Sequence, residues 1–305
     1  MTHAEQIESA ETASAPDLSV VTVITVTYES AHCIPSLARL LERCPNIIVV
    51  DNGSRDATAS AVKQLLPHAH LMELEQNIGF GAANNRALDA VKTRYALLLN
   101  PDCELDDNAA AALVRQAYRY PDAAIIAPQI INRQGEPELS YRWPSSLWRS
   151  TGPAASGPTC VGFVSGAVML LNLEKMGRAS RFDERFFLYY EDDDLCVRNF
   201  NERNPIIVVP SIKVMHRSRG SVRGKFPLRG DYLRGFHHIQ SKLRFVEIHE
   251  SRDKAQRLRN KHLATAVLVA PLRLLAFSPR MIARWVGRIR GLAQWRKLTD
   301  FPGQN

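Results

Sequence analysis

The stretch Arg94-Tyr-Ala-Leu-Leu-Leu-Asn-Pro-Asp102 decides the fold that this sequence predicts. Five apolar residues, Tyr95 to Leu99, stop abruptly at Asn100-Pro101-Asp102. A run of that length, bounded by a polar residue and a proline, is typical of a strand buried on both faces. Ligands of open α/β sheets bind beyond the carboxyl ends of such strands, where Asp102 would offer a carboxylate to a hard divalent cation. The alternative is that Asn-Pro-Asp is only a turn, because all three residues favour turns.

Strands and helices alternate on both sides of this stretch. The predicted strands are Ser19–Thr27, Ile47–Asp51, Leu71–Leu74, Tyr95–Leu99, Ile125–Ile130 and Ile206–Val209. Helical patterns begin near Pro35, after Asn52-Gly53-Ser54, within Gly79–Val91 and Asp106–Tyr118, and at Glu191. This order predicts a parallel sheet built of right-handed βαβ units. Residues 132–160 are rich in Pro, Ser, Gly and Trp, which indicates a long surface excursion or lid.

The positive charge of the chain is concentrated at its end. The 305 residues carry a net charge of +8, and residues 249–305 alone hold 12 Lys/Arg and 3 Asp/Glu. The rest of the chain is therefore almost neutral, which argues against a nucleic-acid partner. Five scattered cysteines without a C-x-x-C pair argue against a disulfide scaffold or a zinc site and fit a reducing compartment. Residues 1–18 are acidic and lack an apolar core, so we expect a disordered leader and no signal peptide.

Two polar features lie at the predicted sheet edge. Asp51 ends the second strand, so its carboxylate points to the same edge of the sheet as Asp102. This carboxylate could accept a hydrogen bond from the ring N–H of a pyrimidine or from a ribose hydroxyl. The alternative is that Asp51 forms an Asx-turn before Gly53. Asn77–Asn85 holds three amides and two glycines ahead of a helix. Backbone N–H groups there suit a diphosphate, with helix capping as the alternative.

Two further features could carry chemistry. Glu191-Asp-Asp-Asp194 places four carboxylates at a helix start, where the helix dipole favours acids as caps. Crowding and nearby aromatic residues would also raise a carboxyl pKa, which suits a general base, so both interpretations stay open. His216 follows a strand and begins a loop with several arginines, where a histidine is either structural or a metal ligand.

Eight motifs taken together make the chain resemble bacterial glycosyltransferases of family 2, in the rhamnosyltransferase-like branch of O-antigen and cell-wall synthesis. They follow the family's order: Val26–Tyr28, Val50–Asp56, Asn77–Asn85, Leu97–Asp102, Ser165–Ala167, Phe182–Phe187, Glu191–Leu195 and His216–Ser221. The resemblance implies an α/β domain of GT-A fold over residues 19–248, with a Rossmann-like, mostly parallel central sheet flanked by helices. Residues 19–130 would form the nucleotide-sugar half and residues 131–248 the acceptor half.

The resemblance also implies an inverting transfer helped by Mg²⁺ or Mn²⁺. Asp192 resembles the catalytic base, with Glu191 as its catalytic neighbour. Asp102 resembles the surviving carboxylate of the family's Asp-x-Asp and would bind the metal with His216. The implied nucleotide-sugar site comprises Thr27, Tyr28, Glu29, Asp51, Asn77, Gly79, Asn85, Asn100, Asp102 and Gly166. Two positions depart from the family: Asn100 replaces the first Asp of Asp-x-Asp, and Glu29 stands where Asn is usual.

The C-terminal tail, residues 249–305, allows two interpretations. An apolar stripe at helical spacing lies opposite three arginines: Met281, Ile282, Trp285, Val286, Ile289 and Leu292 oppose Arg280, Arg284 and Arg288. The tail is either a basic amphipathic, membrane-associating helix on an anionic leaflet or a helix packed back on the body. Upstream, Leu263–Phe277 is apolar but is interrupted by Pro271 and Arg273, whereas a spanning helix needs about 20 apolar residues.

The expected function is transfer of a sugar, with rhamnose as the expected one, from a dTDP- or UDP-linked donor in cell-surface polysaccharide synthesis. The acceptor would be a hydroxyl of a saccharide or of a polyprenyl-diphosphate-linked saccharide. We expect a cytoplasmic enzyme peripherally associated with the inner face of the cell membrane. A sugar nucleotidyltransferase would need a glycine-rich basic loop where Thr27-Tyr28-Glu29-Ser30 stands. A degenerate transferase acting as a non-catalytic membrane scaffold is favoured only by Asn100.

Overall fold

The structure of the protein is a computed structural model that describes residues 18–105, 108–139, 141–142, 154–217, 222, 227–269 and 278–295. Several expectations lie wholly or partly outside these residues. They are the leader up to residue 17, the centre of the predicted excursion (143–153), most of the basic loop after residue 217, and residues 270–277 and 296–305 of the tail.

The first part of the chain forms four parallel strands with helices between them. The strands are β1 (Val21–Thr27), β2 (Ile47–Asp51), β3 (His70–Glu73) and β4 (Tyr95–Leu99); the helices are α1 (Ile34–Leu41), α2 (Thr58–Leu65) and α3 (Phe80–Leu88). The strands lie in the order β3-β2-β1-β4, and every neighbouring pair is parallel. The predicted βαβ alternation is confirmed in this part of the sheet.

The second part completes a mixed sheet. The elements of this part are β5 (Cys103–Leu105), α4 (Ala109–Arg119), β6 (Ile125–Ile131), β7 (Tyr141–Arg142), β8 (Thr159–Cys160), β9 (Phe163–Val164), β10 (Val168–Asn172), α5 (Leu173–Met176), α6 (Glu191–Asn201) and β11 (Ile206–His216). Of these strands, β7 and β9 pair with each other in a separate two-stranded sheet. β10 lies between β4 and β6 and runs antiparallel to both. β6 and β11 are parallel, and β5 pairs antiparallel with β11 at the sheet edge. The sheet is thus parallel in its first half and mixed in its second.

Apolar residues cover both faces of the sheet, which explains the uninterrupted runs in β1 and β4. Successive residues alternate between two core layers: Val23 and Leu97 lie in one, and Ile24 and Leu98 lie in the other. All four side chains are almost fully buried. Burial of each such side chain contributes about 1.5–3 kcal/mol. The central strands are therefore rigid supports for the loops at their ends.

Three helices follow the sheet: α7 (Pro227–His249), α8 (Arg252–Leu268) and α9 (Pro279–Gln294). α7 was not predicted from the sequence; it ends at His249, beside the expected domain boundary. The three helices share a core of their own, formed by Ile239, Leu243, Val246, Ala255, Leu292 and Trp295. Among the helices in the described part of the chain, none combines the length and apolar composition that crossing a bilayer requires.

Glycines let α9 approach α7 closely. A Cβ at Gly235 of α7 would overlap the carbonyl oxygen of Arg284, and one at Gly287 of α9 would overlap that of Tyr232. Arg284 also donates a 2.8 Å hydrogen bond to the buried Asp231. The structure therefore packs α9 back on the body, as one of the two interpretations of the tail expected. Binding of the tail to a membrane stays a prediction.

Candidate active site

Three parallel strands end side by side at one edge of the sheet. Thr27 lies opposite Asp51 in the pairing of β1 with β2, and Ile24 lies opposite Leu98 in the pairing of β1 with β4. Because the register is parallel, the loops after Thr27, Asp51 and Leu99 leave at the same edge. The structure thus brings together the residues that the sequence analysis placed after these strands.

Asp51 is a buried carboxylate bounded by hydroxyl groups. The Ser54 hydroxyl donates to Asp51 Oδ1, and Thr27 Oγ1 lies 3.4 Å from the same oxygen. Burial raises the pKa of Asp51 above its usual value, and the hydroxyl donors partly oppose that rise. The contact with Ser54 fixes the carboxylate at the sheet edge.

Glu29 connects the loop after β1 to the loop after β2. Its backbone is left-handed, with φ of 52°. Its N–H donates to Ser54 Oγ at 2.9 Å, and its Oε1 accepts from the Arg55 N–H at 2.9 Å. Tyr28, immediately before it, is half-buried. Glu29 therefore shapes this edge through contacts within the protein.

Two asparagine side chains shape the loop that precedes α3. Asn77 Oδ1 accepts from the Gly79 N–H at 3.0 Å and from Asn52 Nδ2 at 3.1 Å. Asn52 Oδ1 in turn accepts from the Ile78 N–H at 2.9 Å. Gly79 has φ of +97°, and a Cβ there would lie 2.5 Å from the carbonyl oxygen of Phe187. Only glycine tolerates this conformation and this approach.

Asn85 lies within α3 and clamps the segment that leads towards α6. Its Nδ2 donates to the Phe182 carbonyl at 2.9 Å and to Glu184 Oε1 at 3.1 Å, and its Oδ1 accepts from the Phe182 N–H at 2.8 Å. The side chain is buried. The structure therefore places Asn85 in a supporting position between the two halves of the fold.

A short strand that the sequence did not predict brings Asp102 and His216 together. β5 pairs antiparallel with β11 so that Cys103 lies opposite His216. His216 Nε2 lies 3.4 Å from Asp102 Oδ1, and the Arg217 N–H donates to the Asp102 carbonyl at 3.1 Å. Asp102, Cys103 and His216 each offer one ligand atom, and these atoms lie within 4.8 Å of one another.

The chemistry of this cluster fits a hard divalent cation. Asp102 is only 5% exposed, and a buried carboxylate is stabilised by a neighbouring positive charge. A carboxylate oxygen such as that of Asp102 suits Mg²⁺ or Mn²⁺, and the imidazole of His216 offers a nitrogen ligand beside it. Burial, and then the charge of Asp102, raise the pKa of the Cys103 thiol well above its usual value. That thiol donates to the Ala167 carbonyl at 3.6 Å, so Asp102 and His216 are the better ligands.

Gly166 and Ala167 connect this cluster to α6. Asp192 Oδ2 accepts a 3.0 Å hydrogen bond from the Gly166 N–H. The next residue, Ala167, accepts a 2.9 Å hydrogen bond from the Asn100 N–H. Asp192 is half-buried, and its other oxygen accepts from the Asp193 N–H at 3.0 Å. Asp192 and the run Asn100-Pro-Asp102 therefore lie at the same edge of the sheet, because they contact two adjacent residues, Gly166 and Ala167, that lead into β10.

Glu191 differs sharply from its neighbour. It is 5% exposed, and its Oε2 has no hydrogen-bond partner in the part of the chain that the structure describes. Burial, followed by the charge of Asp192, raises the pKa of Glu191 well above its usual value. A buried carboxyl of this kind favours its neutral form. Glu191 is therefore shielded from solvent, whereas its neighbour Asp192 is only half-buried.

Asp194, the last residue of the acidic run, forms ion pairs with one residue of α6 and one residue of α7. Asp194 is buried and pairs with Arg198 at 2.8 Å and with His249 at 2.9 Å. Tyr189 and Tyr190, just before α6, both have left-handed φ, of 69° and 68°. Such strain is typical of functional sites whose surroundings hold the backbone in place. No local pattern in the sequence could have linked His249 to Asp194, and this contact was missed.

Residues 22–172 match the model of the family described as Glycosyl transferase family 2. The chain is 29% identical over 237 residues to N-acetylglucosaminyl-diphospho-decaprenol L-rhamnosyltransferase of Mycobacterium tuberculosis. That match covers 66% of this chain and 77% of the relative.

Two solved structures share the fold at low sequence identity. The mannosyltransferase PcManGT of Pyrobaculum calidifontis, in complex with GDP-Man and Mn²⁺, has a TM-score of 0.52 and 16% identity, with 96% of this chain and 91% of that chain covered. GalNAc-T7 with UDP, GalNAc and Mn²⁺ has a TM-score of 0.54 and 15% identity, with 77% of this chain covered. Only 49% of the GalNAc-T7 chain is spanned.

Proposed function

This chain belongs to glycosyl transferase family 2 and has the GT-A fold, and we therefore propose that it is an inverting transferase of the rhamnosyltransferase type. The observation that carries the proposal is the link between the two halves of the site. Gly166 holds Asp192 while Ala167 holds Asn100, so a base and a metal-binding carboxylate lie on either side of two adjacent residues. A donor and an acceptor that meet there would find both groups within reach.

The donor is a nucleoside-diphosphate sugar bound at the edge formed by β1, β2 and β4. Asp51 accepts a ring N–H of a pyrimidine base or a ribose hydroxyl, and Thr27 and Tyr28 line the same pocket. Gly79 lies at the start of α3, beside the proposed diphosphate site. Its N–H donates to Asn77 Oδ1 and the Phe80 N–H donates to the Phe187 carbonyl, so both groups shape the loop instead of donating to the diphosphate. Asn77, Asn85 and Glu29 support these loops through the protein contacts described above. The expected nucleotide is dTDP or UDP.

A divalent cation, Mg²⁺ or Mn²⁺, would be held by Asp102 and His216 with Asn100 alongside. Bound there, it would stabilise the negative charge that develops on the departing diphosphate. Asn100 offers a neutral amide where a second carboxylate is usual in the family. Asp102 is therefore the carboxylate on which metal affinity depends.

Asp192 acts as the base in the transfer. One carboxylate oxygen is oriented by Gly166, and the ionised group accepts the proton of the acceptor hydroxyl. The hydroxyl oxygen then bonds to the anomeric carbon as the carbon–oxygen bond to the diphosphate breaks on the opposite face. This order of events inverts the anomeric configuration and leaves the nucleoside diphosphate as product. Burial and the charge of Asp192 raise the pKa of Glu191, which favours its neutral form and limits the negative charge beside Asp192.

The acceptor is a hydroxyl of a saccharide carried on a polyprenyl diphosphate. Support comes from the mycobacterial relative, whose name specifies an N-acetylglucosaminyl-diphospho-decaprenol acceptor. A lipid-linked acceptor would place the reaction at the cytoplasmic face of the membrane, in cell-surface polysaccharide synthesis.

The test is a screen of nucleotide sugars with the purified chain. We expect dTDP-rhamnose with Mg²⁺ or Mn²⁺ to raise the melting temperature more than other dTDP- and UDP-sugars do. Slow hydrolysis of that donor, and transfer to a short-chain analogue of the lipid-linked acceptor, should follow. Preferential binding and transfer of a different sugar would refute the assignment of rhamnose. Absence of both binding and hydrolysis for every donor would refute the proposed activity.

A further inference from the structure

A cationic pocket lies between α7 and α8, away from the candidate active site. Its volume is about 450 Å³, and Lys242, Lys254, Arg257 and Lys261 line it together with one carboxylate, Glu250. Ligand pockets commonly have volumes of about 300–1,000 Å³. We refer to this site as the α7–α8 pocket. Its size and charge suit a small anionic group.

The charges of the α7–α8 pocket are not balanced by its own carboxylate. Glu250 pairs with Lys254 at 3.0 Å. Arg257 and Lys261 form no ion pair with any carboxylate of the described residues, and both are exposed. Lys242 is partly buried, and its pKa is lowered by that burial and then by the nearby Arg288 and Lys261. A bound anion would relieve this repulsion.

The pocket also has an apolar side that continues along α8. Val246 and Leu258 contribute to its wall. At the end of α8, Val267 and Leu268 are 74% and 77% exposed. They lie about 10 Å along the helix axis from Lys261, at 1.5 Å per residue. An anionic group and an apolar chain on one molecule would match both features.

The α7–α8 pocket shares no lining residue with the candidate active site. Lys242 and Val246 of α7 and Glu250, the residue after its end, recur at a spacing of four residues and line the pocket together. His249, the residue of α7 that contacts Asp194 of α6, is not among the lining residues. An anion bound in the pocket therefore contacts a different set of residues from those of the proposed site of transfer.

We propose that the α7–α8 pocket binds the phosphate of an anionic membrane phospholipid while Val267 and Leu268 enter the acyl layer. The proposal deepens the proposed function, and rests on it in one respect, since a transferase with a lipid-linked acceptor has to meet the membrane. The phosphodiester is held by Arg257, Lys261 and Lys242, whose cationic groups suit it. Adjacent apolar residues give the second of the two signals that stable membrane attachment needs.

The experiment measures sedimentation of the full chain with vesicles of phosphatidylcholine alone or mixed with phosphatidylglycerol. We expect binding only to the mixed vesicles, weakened at least about tenfold in Arg257→Glu/Lys261→Glu. The matched control is Arg43→Glu/Arg115→Glu, which makes the same charge change at two exposed arginines beside α1 and on α4. The control should bind like wild type. If the first variant folds poorly, Arg257→Gln/Lys261→Gln replaces it, with at least about a fivefold loss expected.

Three results would overturn the proposal. They are equal binding by the pocket variant and wild type, equal losses in the pocket variant and the control, and a rise in melting temperature with inorganic phosphate without vesicle binding. The last result would identify a site for free phosphate. Donor hydrolysis is measured beside sedimentation and should be unchanged in the pocket variant. Vesicle binding through the pocket without any donor hydrolysis would refute the proposed function and leave the lipid site standing.

Discussion

Gly166 and Asp192 are in direct contact: the Gly166 N–H donates to Asp192 Oδ2 at 3.0 Å, and a Cβ on residue 166 would lie 3.3 Å from Asp192 Cβ. A side chain at residue 166 would therefore push against the carboxylate that the proposed mechanism uses. The same segment receives the Asn100 N–H at Ala167. Gly166 and Ala167, the two residues before β10, therefore set the distance between the proposed base and the proposed metal ligands.

Replacing Asp192 by Asn should abolish transfer and spare donor binding. The amide keeps the size of the side chain but cannot take the acceptor proton, and loss of a general base costs about 10²–10⁴-fold in rate. Single-turnover transfer and donor affinity are the measurements. Glu202 is an exposed residue just after α6, and the control Glu202→Gln should leave both the transfer rate and the donor affinity unchanged. Transfer by the Asp192→Asn protein at the wild-type rate would remove Asp192 from its proposed role.

Asp102→Asn and His216→Ala should each weaken the binding of Mn²⁺. The two side chains approach within 3.4 Å, and each substitution removes one ligand from the same cation. Titration followed by the electron paramagnetic resonance of free Mn²⁺ tests this without an activity assay. We expect at least about a tenfold rise in the dissociation constant for either variant. The exposed His70 provides the control His70→Ala, and unchanged Mn²⁺ binding in both site variants would contradict the metal site.

Glu191→Gln should remove a pH-dependent loss of stability. The pKa of Glu191 is raised well above 4.5 in the folded protein, by burial and then by the charge of Asp192. As the pH rises above that usual value, the unfolded chain loses the proton first, so wild type loses stability relative to the glutamine variant. The difference grows by at most about 1.4 kcal/mol per pH unit until the folded pKa is passed.

Urea unfolding of wild type and Glu191→Gln across the pH range from about 5 to about 8 measures this difference. Comparing slopes with pH removes any constant effect of the substitution itself. The raised pKa of Asp51 is common to both proteins and cancels. Parallel stability curves for the two proteins would show that the pKa of Glu191 is the same in the folded and unfolded states, and would contradict the raised pKa.

Two glycines of α7 should respond in opposite directions to alanine. A Cβ at Gly235 overlaps the backbone of Arg284, whereas one at Gly230 meets nothing within 4 Å. Gly235→Ala should separate α7 from α9 and destabilise the protein by about 2 kcal/mol or more. Gly230→Ala should stabilise it by up to about 1 kcal/mol through helix propensity. Thermal unfolding and hydrogen exchange of α9 distinguish the two, and equal behaviour would contradict the close packing of these helices.

Strong local patterns predicted the central sheet, while pairings between distant segments were beyond sequence reasoning. The run Tyr95–Leu99 is apolar throughout because both core layers cover β4, and it reads as a strand without further information. β5, with only three residues, exists because β11 pairs with it. Asp102 and His216 were each proposed as metal ligands by resemblance, but only the pairing of β5 with β11 gives them a common position.

Asn85 and the C-terminal tail show a second limit on what can be predicted from the sequence. Asn85 belongs to a motif of the family, yet the orientation of its side chain depends on hydrogen bonds with the Phe182 backbone. The position of that backbone cannot be predicted from the sequence. The apolar stripe of α9 fits a lipid surface as well as another helix. A usable signal was present in Gly287 and Gly291, since two glycines four residues apart on one helix face permit a close helix partner.

The contact between Asp194 and His249 has a practical consequence for building hybrid enzymes. The family match ends at residue 172, so a natural place to join halves of two relatives would lie after β10. A hybrid that took α6 from one parent and α7 from the other would separate a buried carboxylate from its imidazole partner. Exchanged segments should therefore begin before α6 and run through residue 249, so that both partners come from the same parent.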